Sequence, residues 1–454
     1  MIVIVWLELL TMSFPTIPTD LIEAIIDWVA LLTPTNKEPR LKASTLSSCA
    51  LTSRAFVFPS QKHIFHTIDL GARLPRGVYY VRFHRLLLSN PYLGTHVRHL
   101  RLVDNCEDDF ANGISWLTHL STPISRTLGF LPNLRSFGLN FNSTGANWDN
   151  VPYETRAAFG RVFRMESMKE VELEFAFGFP VALLMSLARL KYLALANMDL
   201  NSDEEIYSKS PCEVALEGLY LRGVSSGVIK ILSKTLSSTD APPTLRKLAL
   251  TPTFEEGFAE AAAELIIACG SHLESFAWLP SIHFRESSII HARPTADTYL
   301  LQPAASFGPI NISTLHHLRF LHFIITFRNL SSRKKPFAQT LFLLLQLSNR
   351  PNALEKLTLE CHCITKIDTS EKSLGKLWRP LNTALSAIGS GEPVFGKLKE
   401  VEIVLSANTI PAAEIHRFVM GQGELLPSVE VRGVMVSVRV ESRGEGLLDQ
   451  LRQM

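Results

Sequence analysis

LKYLAL, residues 190–195, is one copy of a six-residue unit that runs through most of the chain. Its order is apolar, charged, any, apolar, any, apolar. VRHLRL at Val97, LRSFGL at Leu134, MKEVEL at Met168, LEGLYL at Leu216 and LRKLAL at Leu245 repeat it. LESFAW at Leu273, LRFLHF at Leu318, LEKLTL at Leu354 and LKEVEI at Leu398 continue it. Since 46% of the chain is apolar, the apolar triplet alone says little. The second position says more. It is charged in all ten units, where 19% charged residues would supply about two. An eleventh copy, LPSVEV at Leu426, keeps the triplet and lacks the charge.

The second half of the unit has a period of two, which is that of a strand. Its fourth and sixth residues share one face, and its third, fifth and seventh share the other. Successive units start 22 to 45 residues apart. The intervals hold helical runs such as Phe254–Cys269, Phe337–Leu347 and Ser373–Ile388. Strand, helix and strand in alternation predict a parallel sheet with helices outside it. The unit resembles the strand of a leucine-rich repeat, Leu-x-x-Leu-x-Leu. The resemblance implies an irregular solenoid, with the family's following Asn present at Asn105 and Asn142 and replaced at Ala176 and Val224. Leu193, Leu219, Leu248, Leu321 and Leu357, at fourth positions, are expected in the core. VMVSVRV, Val434–Val440, alternates cleanly and should be a strand that closes the array.

The opposite face is expected to point outward. It carries Glu172 and Glu174, then Tyr192, Tyr220, Arg222 and Lys247, then His322. Tyrosine and arginine often anchor interfaces, so Tyr192, Tyr220 and Arg222 are the expected centre of a substrate surface. A polar outer face is needed whether or not anything binds it.

Phe14–Leu70 is built differently. Pro18 suits a first helical position, and Asp20 follows in the first turn. Leu21, Ile22, Ile25, Ile26 and Val29 recur at helical spacing and predict one wide apolar face. Pro34, Asn36 and Pro39 break the pattern. A second run begins near Leu41 with Leu46, Cys49 and Leu51, and Pro59 marks a further break. Three short helices bury little core alone, and so many apolar side chains suggest a surface that docks on a partner. The stretch resembles a fungal F-box. Ile17-Pro18-Thr19-Asp20-Leu21 stands at the family's Leu-Pro-x-Glu-Leu opening. Leu51-Thr52-Ser53-Arg54-Ala55-Phe56 stands at its middle, with Ser53 and Phe56 where the family has Cys and Trp. Ile64-Phe65-His66-Thr67-Ile68 stands at its end. The resemblance implies docking on a Skp adaptor, and through it on a cullin scaffold. The candidate contacts are Pro18, Leu21, Ile22, Ile25, Leu46, Leu51 and Phe56. Some of these must instead hold the helices together.

The chain therefore divides into an N-terminal segment 1–13, an F-box-like domain 14–70, a helical connector 71–96 and a repeat-like domain 97–454. The fold class is α/β: a three-helix F-box, then a leucine-rich-repeat-like solenoid. Residues 1–12 are apolar but short, with Glu8 inside and no positive run before them, so they are expected to be a plain leading segment. In the connector, Tyr79–Leu88 reads as a helix and Asn90-Pro91 as a turn.

Among 454 residues, 45 basic side chains face 43 acidic ones, a balance that points away from nucleic acid and from anionic membranes. Six scattered cysteines are no disulfide framework and fit a cytoplasmic or nuclear protein. No P-loop, dinucleotide fingerprint, nucleophile elbow or HExxH helix occurs, so no cofactor and no catalysis are expected. Cys361-His362-Cys363 lacks the second ligand pair of a zinc site. Asp104 to Asp109 does not match a calcium loop, and Arg333-Lys334-Lys335 is short for a nuclear signal.

Two readings remain. One is a non-catalytic substrate receptor of a Skp–cullin–F-box ubiquitin ligase, with the F-box on the adaptor and the repeats on the substrate. The other is a free-standing repeat scaffold whose N-terminal helices only cap the array.

Overall fold

The computed structural model describes residues 18–32, 39–70, 78–103, 121–141, 146–201, 215–237, 244–252, 255, 257–278, 310–327, 338–347, 352–363, 375–386, 388–389, 392–407, 426, 430 and 432–441. Residues 1–17, the 104–109 acidic loop and Arg333–Lys335 lie outside these.

Among the described residues three helices come first: α1 (Thr19–Leu32), α2 (Pro39–Thr52) and α3 (Arg54–Ile64). Pro39 opens α2, where its missing N–H costs nothing. The break between α2 and α3 falls at Ser53, whose side chain accepts from the Ala55 N–H as an N-cap. The expected break at Pro59 does not occur: Pro59 lies inside α3 and is buried. The packing of its ring offsets the hydrogen bond it cannot donate. Ile26, Ala30 and Leu46 form the small core of this unit, with Val29, Cys49, Phe56 and Ile64 against it.

Most of the remaining described residues build on one parallel sheet of twelve strands, in which spatial order follows chain order; Ala146–Asn147 with Ala176–Phe177, and Ile388–Gly389 with Glu392–Pro393, form two small separate pairs. The strands are β1 (Thr67–Leu70), β2 (His99–Val103), β3 (Ser136–Asn140), β4 (Glu170–Glu174), β5 (Tyr192–Ala196) and β6 (Gly218–Arg222). Then come β7 (Lys247–Thr251), β8 (Ser275–Trp278), β9 (Phe320–Phe327), β10 (Lys356–Cys363), β11 (Glu400–Ala407) and β12 (Met435–Glu441). The register is uniform. The third residue of every unit aligns with the third residue of the next, from His99 and Ser136 through to Lys356 and Glu400.

Two strands extend this rule. Thr67 of β1 pairs with His99, so FHTIDL (Phe65–Leu70) is a further unit, with His66 at its second position. Met435 of β12 pairs with Glu400, as expected of the closing strand. Of the candidate unit at Leu426 only two residues are described: Leu426 is a buried bend residue and Glu430 is helical, and neither belongs to the sheet.

Helices fill the intervals: α4 (Val78–Ser89), α5 (Ser121–Gly129), α6 (Tyr153–Phe163), α7 (Val181–Leu187), α8 (Ser226–Ser237), α9 (Phe258–Cys269), α10 (Ala338–Leu347) and α11 (Gly375–Leu385). The first, fourth and sixth residues of the ten units are all buried, in one core with the inner sides of these helices. Leu193, Leu219, Leu248, Leu321 and Leu357 are among them. A turn recurs after the central strands. Phe175, Asn197 and Gly223, each the eighth residue counted from its unit's start, are left-handed, with φ of 59°, 50° and 60°. The turn drives the ninth residue inward, and Ala176, Met198 and Val224 are buried.

Candidate functional site

Two surfaces hold the residues singled out by sequence. The first is α1. Its expected single apolar face is divided in two. Ile22, Ile26 and Ala30 are buried. Leu21, Ile25, Trp28 and Leu31 form a second stripe in solvent, with Trp28 66% and Leu31 80% exposed. Spacings of four, three and three residues keep these four on one side of the helix. Pro18 is exposed at the head of the stripe, and Leu51, at the end of α2, is 88% exposed. Phe56 is half-buried against the helical core. Of the expected adaptor contacts, Ile22 and Leu46 are corrected: both are buried and hold the helices together. Sequence reasoning places neither Trp28 nor Leu31 among the contacts, although their spacing from Leu21 and Ile25 signals them.

Asp27 bridges α1 to α3. It lies 2.6 Å from His63 Nε2 and 3.8 Å from Lys62, both on α3. Below α3, the His66 and His99 rings are 4.9 Å apart. His66 is held down to about 4 by burial first, then by the His99, His63, Arg98 and Lys42 charges.

The second surface is the face of the sheet opposite the helices. The structure brings Glu172, Glu174, Tyr192, Tyr220, Arg222, Lys247 and His322 onto that one face, as expected. It is far less open than expected. Tyr220 is only 3% exposed, packed with Ala194, Ala196, Ala249 and Ala277, with Tyr192 and Ile324 against the group. Tyr220 is therefore corrected from an exposed anchor to the centre of a second, smaller core. The small side chains on the flanking strands leave room for its ring. Burial pushes its hydroxyl up to about 12, partly countered by the Arg222 charge and by Thr251.

The acidic stretch is also corrected: Glu172 and Glu174 are buried and paired. Glu174 binds the Arg222 guanidinium and accepts from Asn140 Nδ2 at 2.6 Å. Ala196 lies between the strands of Glu174 and Arg222, and its small side chain lets the pair reach across. Arg101 reaches Glu172 at 3.9 Å over Gly138, where a Cβ would stand 3.1 Å from Arg101 Cγ. His322 Nε2 lies 3.2 Å from Glu360. Lys356 binds Glu400 at 3.2 Å and Glu402 at 2.8 Å. Lys247 has its ammonium held low by burial, with Glu217 and Glu274 acting the other way. Glu360 adds to the field at Tyr220 although three strands, β7 to β9, lie between theirs.

Cys361 is buried, and the His362 and Cys363 side chains lie outside the described ones. No helix among the described residues is long and apolar enough to cross a membrane. No protein-family model matches the chain, and no curated protein matches it.

Proposed function

We propose that this protein is the substrate-recognition subunit of a Skp–cullin–F-box ubiquitin ligase. The N-terminal helices dock on the Skp adaptor, and the repeat-like sheet holds the substrate protein. The observation that carries the reading is the second stripe of α1. Leu21, Ile25, Trp28 and Leu31 gain nothing for the fold, yet four large apolar side chains stand in water on one helix face. Such a patch marks an interaction site, and it lies within the stretch that resembles an F-box. The chain itself would do no chemistry. By tethering substrate near a ubiquitin-charged enzyme, it raises the effective concentration of the two reactants.

A variant with Pro18→Ala/Leu21→Asp tests this, because a charge buried in the interface would cost several kcal/mol. Both side chains are exposed, so the variant should fold normally. Co-purification of the Skp adaptor with the wild type, lost in the variant, is the expected result. Undiminished co-purification would remove the F-box assignment.

The second reading is the free-standing scaffold. One observation favours it: the third block of the F-box resemblance runs into β1, which pairs directly with β2, so the helices are joined to the sheet like a cap. Failure of the wild type to bind any Skp adaptor would select it.

A further inference from the structure

The charged second position of the units forms a row along one rim of the sheet. Each second-position carbonyl accepts the N–H of the next second-position residue, as at Arg98 and Arg135 (2.7 Å) or Arg135 and Lys169 (2.8 Å). The side chains therefore stack at the strand spacing of about 4.8 Å. From Lys191 onward the row alternates in sign and pairs with itself. Lys191 meets Glu217 at 3.0 Å, Arg246 meets Glu274 at 3.5 Å, and Glu355 binds both Arg319 at 2.7 Å and Lys399 at 2.8 Å. Glu355 is held down to about 2 by the Arg319 and Lys399 hydrogen bonds.

The other end of the same row does not alternate. His66, Arg98, Arg135, Lys169 and Lys191 follow one another without an acidic residue. Among the described residues no carboxylate lies within ion-pair distance of Arg98, Arg135 or Lys169. Like charges on adjacent strands destabilise a sheet. Arg98 registers the strain, its guanidinium lowered by burial first and then by Arg135. The paired half of the row shows that this architecture accommodates acidic residues at these positions. Arg98 returns one hydrogen bond, from Nη1 to Asn133 O at 3.0 Å, but among the described residues no carboxylate offsets the charge of Arg98, Arg135 or Lys169.

We propose that Arg98, Arg135 and Lys169, in a row that ends at the Glu217-paired Lys191, bind an acidic segment of a partner polypeptide. The row is one charge wide and spans roughly 14 Å, the reach of about four or five extended residues. Residues flanking its middle are Leu134, Ser136, Met168 and Glu170, so no ring is presented there for a nucleic-acid base to stack on. The site does not depend on adaptor docking. Under the ligase reading the segment would belong to the substrate.

The test is anisotropy titration of a labelled peptide carrying a run of glutamates, at low salt, against the full chain. The double variant Arg135→Gln/Lys169→Gln changes side chains that make no hydrogen bond among the described residues, so it should keep the fold. We expect it to weaken the peptide by about tenfold or more, and added salt to weaken the wild type likewise. Arg246→Gln/Arg319→Gln, in the paired half, should leave binding unchanged. Equal binding by both variants, or none by the wild type, would overturn the proposal. So would tighter binding of a labelled oligothymidylate through the same two residues, which would make the rim a nucleic-acid surface. A second readout is the melt of Lys169→Glu. It should rise, because an opposite charge then enters a like-charged row; a fall would show that the row is structural.

Discussion

At the residue scale, Asn197 and His66 carry more of the architecture than their types suggest. Asn197 holds a left-handed turn at φ 50° and donates its N–H to Arg222 O, while Met198 follows it into the core. Alanine pays more for that conformation, so Asn197→Ala should lose about 1 kcal/mol in a denaturant melt, and Asn197→Gly should lose little. His66 has its folded pKa lowered from 6.5 to about 4, with His99, His63, Arg98 and Lys42 facing it. Below 6.5 the unfolded chain takes up a proton that the folded chain resists. Its contribution to stability is thus complete above 6.5 and declines as pH falls toward about 4. Part of His66 remains in water, which reduces the effect. Melts of the wild type and His66→Gln across that range check this: the variant should lose less stability on acidification.

At the element scale, the strands separate into sides of unequal importance. Leu193→Ala should cost roughly 2–5 kcal/mol, since Leu193 is fully buried, whereas Thr358→Ala should cost far less. Tyr220→Ala belongs with the costly class at about 3 kcal/mol, although it occupies a fifth position. On α1 the contrast lies within one helix. Ile26→Ala should lose roughly 2–5 kcal/mol, while Trp28→Ser should leave the melt almost unchanged. The sheet was legible because the apolar triplet at first, fourth and sixth positions recurs on so many strands. β1 was not legible, because Phe65–Ile68 also matches the third F-box block and the second position of its unit is His66. The filling of the opposite face was not legible, because Gly138, Ala194, Ala249 and Ala277 say only that a position is small. Whether a neighbour's long side chain lies over a small residue depends on strands tens of residues away. The second-position charges were visible as a statistic, yet the pairing of one half and the crowding of the other appear only once the register is known.

At the scale of the whole molecule, a small helical unit bearing an exposed apolar stripe is joined to one end of a long registered sheet. β1 is the joint: its chain leaves α3, and its backbone pairs with β2. The stripe on α1 and the uncompensated basic rim both lie at this end, while the far end closes on β12. That division fits a protein that holds one partner by its N-terminal helices and another along its sheet. Hydrogen exchange of the full chain with and without purified Skp adaptor tests the central claim most directly. The account predicts slowed exchange in α1 and at the α2–α3 junction near Leu51, with none along β6 to β9. Protection absent from α1, or confined to the sheet, would contradict it.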